Sequence, residues 1–354
     1  MQIHQVLSGA ATGDAVTRIA LNTRTILRRY GPSEIYAHHI DPSAHGFALP
    51  LDTLPPDEHP DDVVILHASI GDELVFDRLA DRTDRLVLAY HNISPSEPFR
   101  EFDPSFADLL DAGREQLRAL VPRVHAAWAF STFSVEDLEG LGYRGVETLA
   151  PLLDPFHLDD LHDDLPYLRQ IEARAPREMV LFVGQMLPHK RPDVLLSAHH
   201  LLVSHHRPDA ALVLVGSPRF PAYYRQLASY AASLNLPRVW FTGAVTDAQL
   251  AELYRRADVF VTASSHEGFC IPVIEAMAHS TPVVSAASGA LRETIGSGGL
   301  VLDDPTPERM CEAIDLALEP GMNSRLTLAG RRRLREIDVP VAEANLIDFL
   351  DRHL

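Results

Sequence analysis

The strongest constraint on the fold is an alternation. Short, wholly apolar runs rich in branched residues recur along the chain (VVILH, LVLAY, MVLFV, ALVLV, VFVT), and each gives way to a segment of helical periodicity. A strand apolar on both faces must be covered on both, and strands joined through helices run parallel. The pattern predicts strands at 3–7, 34–37, 63–67, 85–89, 126–130 and 146–150, then at 180–183, 211–215, 239–242, 259–262, 283–286 and 300–302. Helices are expected at 14–30, 72–80, 104–120 and 135–141, then at 192–204, 221–234, 247–255, 272–279 and 307–318. This is the pattern of an α/β protein with doubly wound parallel sheets.

With 354 residues, 46% of them apolar, the chain is long enough for two domains with separate cores. The series of strands breaks between Pro151 and Pro176, where LLDPFHLDDLHDDLPYLRQIEARAPRE is acidic and punctuated by proline. The expected division is a first domain over 1–165, a second over 176–335, and a final helix over 336–354 packing back toward the first. Asp154, His157, Asp159, Asp160, His162, Asp163 and Asp164 are read as a solvated linker rather than as metal ligands.

Charge narrows the function. The net charge is −18, which argues against general nucleic-acid binding and against polybasic attachment to an anionic membrane. Arg331-Arg332-Arg333 is the only short basic run, read as a solvated helix face. Cys270 and Cys311 match no metal spacing, and no metal is expected. The N-terminal MQIHQVLSG does not resemble a signal peptide and no apolar run reaches the roughly 20 residues of a membrane span, so a cytoplasmic location is expected. The pairs His38-His39, His199-His200 and His205-His206 have no ligand spacing.

The segment VFVTASSHEGFCIPVIEAMAHSTPVV, 259–284, carries the most chemistry. A branched strand runs into a glycine-bearing loop, and Pro272 opens a helix, where its fixed φ and missing amide cost little. Loop amides and a helix N-terminus bind anions. Glu267 in the loop and Glu275 in the helix flank that site, where carboxylates accept hydrogen bonds from hydroxyls. A phosphate cradle between hydroxyl acceptors suits a sugar nucleotide. Lys190 points the same way. It is the only lysine among 31 basic residues and stands where the strand of MVLFVG meets the next helix. A compact ammonium is not imitated by a guanidinium; chance retention of one lysine is the alternative. A charge pair at about 4 Å is worth roughly 4 kcal/mol at an effective dielectric near 20. A helix end supplies about 0.3–1 kcal/mol, so Lys190 would dominate at a diphosphate.

In the first half, Gly9 and Gly13 lie in a loop after the first strand, ahead of a helix that Asp14 could cap. The G-x-G-x-x-G fingerprint of dinucleotide binding is absent. His67 and His91 end strands and face the side where ligands bind; for each, a histidine satisfied by nearby backbone is the alternative. Asn92 and Pro95 shape a distinct turn around His91.

Glu267 and Glu275, separated by seven residues within HEGFCIPVIEAM, together with FVGQMLPHKRPDVLL, ALVLVGS, VWFTGAVTDAQLAELYRRAD and YHNISPSEPF, resemble the retaining glycosyltransferases of family four. That resemblance implies the GT-B architecture, two Rossmann-like domains facing across a cleft, and metal-independent transfer from a nucleotide-diphosphate sugar, UDP or GDP foremost. It implies a glycan, lipid-linked or small-molecule acceptor, no cofactor, and peripheral contact with the inner membrane face in some relatives. Carried over, Lys190 meets the diphosphate and Glu275 the ribose. Glu267, with Gly268, Phe269, Cys270 and Ile271, holds the sugar and adjoining phosphate. Val245 lies by the base, Gly13 by the distal phosphate and His91 by the transferred sugar. Gln185 stands where the family usually has arginine, and GAATGDA replaces its usual glycine pair. A sugar-nucleotide binder without efficient chemistry and a GT-B epimerase are the alternatives.

Overall fold

The computed structural model describes residues 1–57, 59–175, 177–236 and 238–354. The chain divides into two compact units. The first comprises Met1–Arg100, Pro104–Leu153 and Ile337–Leu354, and the second Glu101–Asp103 and Asp154–Glu336.

In the first unit β1 (Ile3–Ala10), α1 (Ala15–Leu27), β2 (Ile35–Ile40), β3 (Ala48–Pro50), β4 (Val63–Ala68), α2 (Glu73–Ala80), β5 (Arg85–Tyr90), α3 (Pro104–Leu120), β6 (Val124–Ala129), α4 (Thr132–Leu141) and β7 (Glu147–Thr148) follow one another. The strands form one sheet in the order β3-β2-β1-β4-β5-β6-β7, all parallel. Helix starts follow from local side chains. Asp14, Asp72 and Ser131 each accept a hydrogen bond from an amide of the turn they cap, satisfying donors that a helix leaves open. β1 runs three residues beyond the expected strand, so Gly9 pairs with His39 inside the sheet instead of lying in a loop.

The second unit continues with α5 (Leu165–Arg174), β8 (Met179–Val183), α6 (Pro192–His205), β9 (Ala211–Val215), α7 (Pro221–Ser233), β10 (Val239–Gly243), α8 (Asp247–Arg256), β11 (Val259–Thr262), α9 (Ile271–Ala278), β12 (Val283–Ala286), α10 (Leu291–Ile295), β13 (Gly299–Leu302), α11 (Pro307–Leu318) and α12 (Pro320–Glu336). Its parallel sheet has the order β10-β9-β8-β11-β12-β13. The central strands are sealed on both faces: Val180, Leu181, Val213, Leu214, Phe260, Val261, Val283 and Val284 are at most 1% exposed. Both sheets are thus Rossmann-like, with strand order reversing once, between β1 and β4 and between β8 and β11.

Two features depart from the sequence reading. Residues 154–164 are only in part a solvated linker: Asp154, Asp159, Asp160, His162 and Asp163 are exposed, but Leu158 is buried, Arg255 reaches the carbonyls of Leu158 and Asp159 and the carboxylate of Asp163, and Gln249 donates to Asp164. They group with the second unit, as does α5, whose Tyr167 and Arg174 lie against Trp240. The basic run on α12 is partly spent on structure. Arg333 donates to the carbonyls of Thr294 and Glu293 at the end of α10, and Arg331 donates to Ser280 Oγ. The last helix, α13 (Val339–His353), belongs to the first unit. Its Phe349 packs edge-on against Trp128 at 5.1 Å, Tyr30 donates to Asp351, and Arg352 and His353 bind Glu147. Among the described residues, no helix is long and apolar enough to cross a membrane.

Candidate functional site

The second unit gathers five loops along the carboxyl edge of its sheet. Gly184 N donates to Val215 O, Met186 N to Ser217 O and Gly216 N to Gly243 O, tying the turns after β8, β9 and β10 into a row. Gly216 has φ +144°, and a Cβ there would stand 1.9 Å from Gly184 O, so only glycine fits. On the other side of β8, Ser265 N and Oγ both donate to His189 O, at 2.7 and 3.1 Å, stitching the β8 loop to the β11 loop. Ala290 N donates to Glu267 O, and a Cβ on Gly289 would fall 2.4 Å from that carbonyl. The turn after β12 therefore fixes the backbone of Glu267.

At the reversal of strand order Lys190 Nζ donates to Glu267 Oε1 at 2.6 Å. Burial opposes both charges. It is outweighed on each side by the partner, so the ammonium of Lys190 is held above its ordinary range. The Glu267 carboxyl, also hydrogen-bonded by Lys190 and Ser264, is held below its ordinary range. Cys270 has φ +75° at the mouth of α9. Burial, then the nearby Glu267, push its thiol well up; Lys190 opposes this and Glu275 adds to it. That thiol lies in the field of all three charges and stays protonated at neutral pH, so it is not a nucleophile. The amides of Phe269, Cys270 and Ile271 carry no hydrogen bond among the described residues.

Glu275 lies in α9, 5% exposed. Tyr254 Oη donates to its Oε2 at 3.0 Å, and His157 Nε2 stands 3.7 Å from Oε1. Neither partner was marked by the sequence reading; Tyr254 looks like core, and His157 sits in a stretch read as linker. Val245 follows Gly243 at the β10 turn and is half-buried. Gln185 is exposed, and Arg191 is turned to Asp193.

In the first unit Gly13 has φ +80° and nothing within 4 Å of a Cβ position, leaving open backbone before α1. His67 and His91 are joined: His67 Nδ1 and His91 Nε2 are 2.8 Å apart, and His67 Nε2 meets Gln5 Oε1 at 2.8 Å. Gln5, mid-strand in β1, carried no sequence signal. At the end of β2, His38 is hydrogen-bonded to Asp72 at 2.9 Å and stacks on His39; Asp72 also caps α2.

Comparison with known proteins bears mainly on the second unit. Residues 166–333 match the family model for glycosyl transferases group 1. The D-inositol 3-phosphate glycosyltransferase of Acidothermus cellulolyticus is 35% identical over 170 residues, covering 44% of this chain and 38% of that protein. The protein of the same name from Geodermatophilus obscurus is 32% identical over 231 residues, covering 62% of this chain and 50% of its own length. The matched stretches thus span half or less of these relatives. A crystal structure of Anabaena Alr3699/HepE in complex with UDP and glucose superposes with a TM-score of 0.77 at 17% identity, over 99% of this chain and 100% of that one. The chain has the α/β fold of the GT-B class, built of two Rossmann-like units.

Proposed function

We propose that this chain is a retaining glycosyltransferase that moves a sugar from a nucleotide-diphosphate donor, UDP- or GDP-linked, to a hydroxyl acceptor without a metal. The observation that carries the reading is the Lys190–Glu267 pair, 2.6 Å apart where strand order reverses in the unit that matches the glycosyl transferases group 1 model. The neighbour from Anabaena, solved with UDP and glucose, supports a donor of that kind.

Lys190 meets the diphosphate and stabilises the charge that grows on the leaving nucleotide. The amides of Phe269, Cys270 and Ile271, with Gly268, receive the adjoining phosphate. Glu267, oriented by Lys190 and by the turn at Gly289, accepts from sugar hydroxyls, and Glu275, steadied by Tyr254, accepts from the ribose. Val245 serves the base, Gly13 the distal phosphate and His91 the transferred sugar. With its charge committed to Lys190, Glu267 is a poor nucleophile. Retention then follows from attack on the leaving-group face, a phosphate oxygen taking the acceptor's proton.

The test is turnover with UDP- and GDP-sugars by the wild type, Lys190→Ala and Glu275→Ala. Loss of turnover in both variants is expected; unchanged turnover in both removes the site. A second reading, a sugar-nucleotide binder with no chemistry, is favoured by Gln185 and by the turn of Arg191 toward Asp193, which leave Lys190 without a second cation from this loop. It predicts donor-dependent thermal stabilisation with no release of nucleoside diphosphate.

A further inference from the structure

His67 and His91 are joined to β1 by a chain of hydrogen bonds whose direction is set at its far end. Gln5 Nε2 donates to Ala20 O at 3.0 Å. A carbonyl cannot donate, so the amide nitrogen must face it and Oε1 must face His67. Oε1 only accepts, so His67 carries a proton on Nε2. Gln5 and His67 are both fully buried. Burial pushes the His67 imidazole down to about 3, so it is neutral and its Nδ1 is a lone pair. The short contact to His91 is satisfied only if His91 Nε2 donates. His91, held well below its ordinary range by burial and then by His67, is neutral as well. Its remaining nitrogen, Nδ1, is therefore a lone pair, and it has no hydrogen-bond partner among the described residues.

We infer that Gln5 and His67 are positioning residues that lock His91 in the Nε2–H tautomer, so that Nδ1 is presented as a hydrogen-bond acceptor for a hydroxyl of the transferred sugar and not as a donor to phosphate. The sugar contact rests on the function proposed above; the tautomer does not. The relay spans three strands, Gln5 on β1, His67 on β4 and His91 just past β5. Phe130 packs on the His91 ring at 4.7 Å. The turn is braced because Ile93 N donates to Tyr90 Oη, which donates to Asp137, itself bound by two nitrogens of Arg114. A ring so held keeps its lone pair in one direction. A neutral acceptor has no attraction for a diphosphate, which separates the task of His91 from that of Lys190.

The test reads the tautomer directly. Long-range proton–nitrogen correlation spectra of the full chain, labelled with 15N-histidine, are recorded at pH 7, with His91 identified by its loss in His91→Gln. The expected result is a protonated Nε2 and an unprotonated Nδ1 at His91; a protonated Nδ1 overturns the proposal. Gln5→Met and His67→Phe, close in volume to the residues they replace, should each leave His91 in mixed tautomers. UDP-glucose turnover should then fall about tenfold in kcat with KM within twofold, the loss of one hydrogen bond made at the reacting sugar. An unchanged His91 tautomer in both variants overturns the relay. UDP-glucose added to the wild type should shift the His91 Nδ1 resonance. No shift, with the tautomer as stated, overturns the sugar contact and leaves the relay standing.

Discussion

Lys190 and Glu267, 77 positions apart in sequence, form one ion pair of 2.6 Å at the reversal of strand order in the second sheet. Each is largely enclosed, with side-chain exposures of 20% and 8%. Removing one partner strands the other in a poorly solvated place. Lys190→Ala should cost about 2–4 kcal/mol of stability, whereas Lys190→Ala combined with Glu267→Ala should recover much of that loss. Urea unfolding of the two single variants and the double variant measures the coupling. Additive losses would mean the pair is not coupled in solution.

Gly289 is a sharper probe of the same loop. Its φ of +59° disfavours any side chain, and a Cβ would press within 2.4 Å of Glu267 O and 2.7 Å of Glu267 N. Gly145 has a similar φ, +66°, but open space around it. Gly145→Ala should cost only the backbone strain, about 1 kcal/mol. Gly289→Ala should cost about 3 kcal/mol or more and abolish donor binding, because the backbone of Glu267 must move. Thermal melts with and without UDP separate the two. Equal costs would show that the close approach relaxes freely.

The strands were legible because each is a compact apolar run; 211–215, 259–262 and 283–286 coincide with β9, β11 and β12. Lys190 and Glu267 were legible as loop residues after apolar strands, but their pairing was not. Pairing depends on β8 and β11 being neighbours, a property of strand order that local pattern does not carry. The same holds for His67 and His91, whose separate positions at strand ends were visible while the contact between their rings was not. The segment 154–174 was legible only in part, for another reason. Asp154, Asp159 and Asp160 are exposed as its acidic composition suggests, yet Asp164 caps α5 and accepts from Gln249, and Asp163 meets Arg255 of α8. Charge complementarity between distant segments leaves no periodic trace. α12 escaped notice because only Leu326, Gly330 and Leu334 of its seventeen residues are buried, a stripe too thin to stand out.

Tyr254 should act on the donor through Glu275. Its hydroxyl donates to Glu275 Oε2 at 3.0 Å, and its ring is fully buried and stacked on His279 at 5.2 Å. Tyr254→Phe keeps the ring and deletes one hydrogen bond to a carboxylate, an interaction worth about 1.5 kcal/mol or somewhat more. If Glu275 binds the ribose, the KM for donor should rise roughly tenfold while kcat changes little, since the reacting bond is elsewhere. Initial rates against donor concentration decide it. A KM within twofold of wild type would mean that Tyr254 supports the core alone.

Acid should weaken this protein before its carboxylates protonate. His199, on the buried face of α6, is 1% exposed, and both its ring nitrogens lack partners among the described residues. Burial lowers its imidazole to about 4, against about 6.5 in the unfolded chain. Between those values the unfolded state binds a proton that the folded state does not, so the stabilising contribution is complete above pH 6.5 and is lost as pH falls toward 4. From pH 7 to pH 5 one such group removes about 2 kcal/mol. His67 and His189, each lowered to about 3 mainly by burial, act in the same direction over the same interval. His199→Leu removes one of the three and relieves two unpaired ring nitrogens. It should raise stability at pH 7 by about 1 kcal/mol and reduce the loss between pH 7 and pH 5 by about 2 kcal/mol. Urea midpoints at the two pH values measure both effects, and a variant as acid-sensitive as the wild type would exclude His199 as a source of that sensitivity.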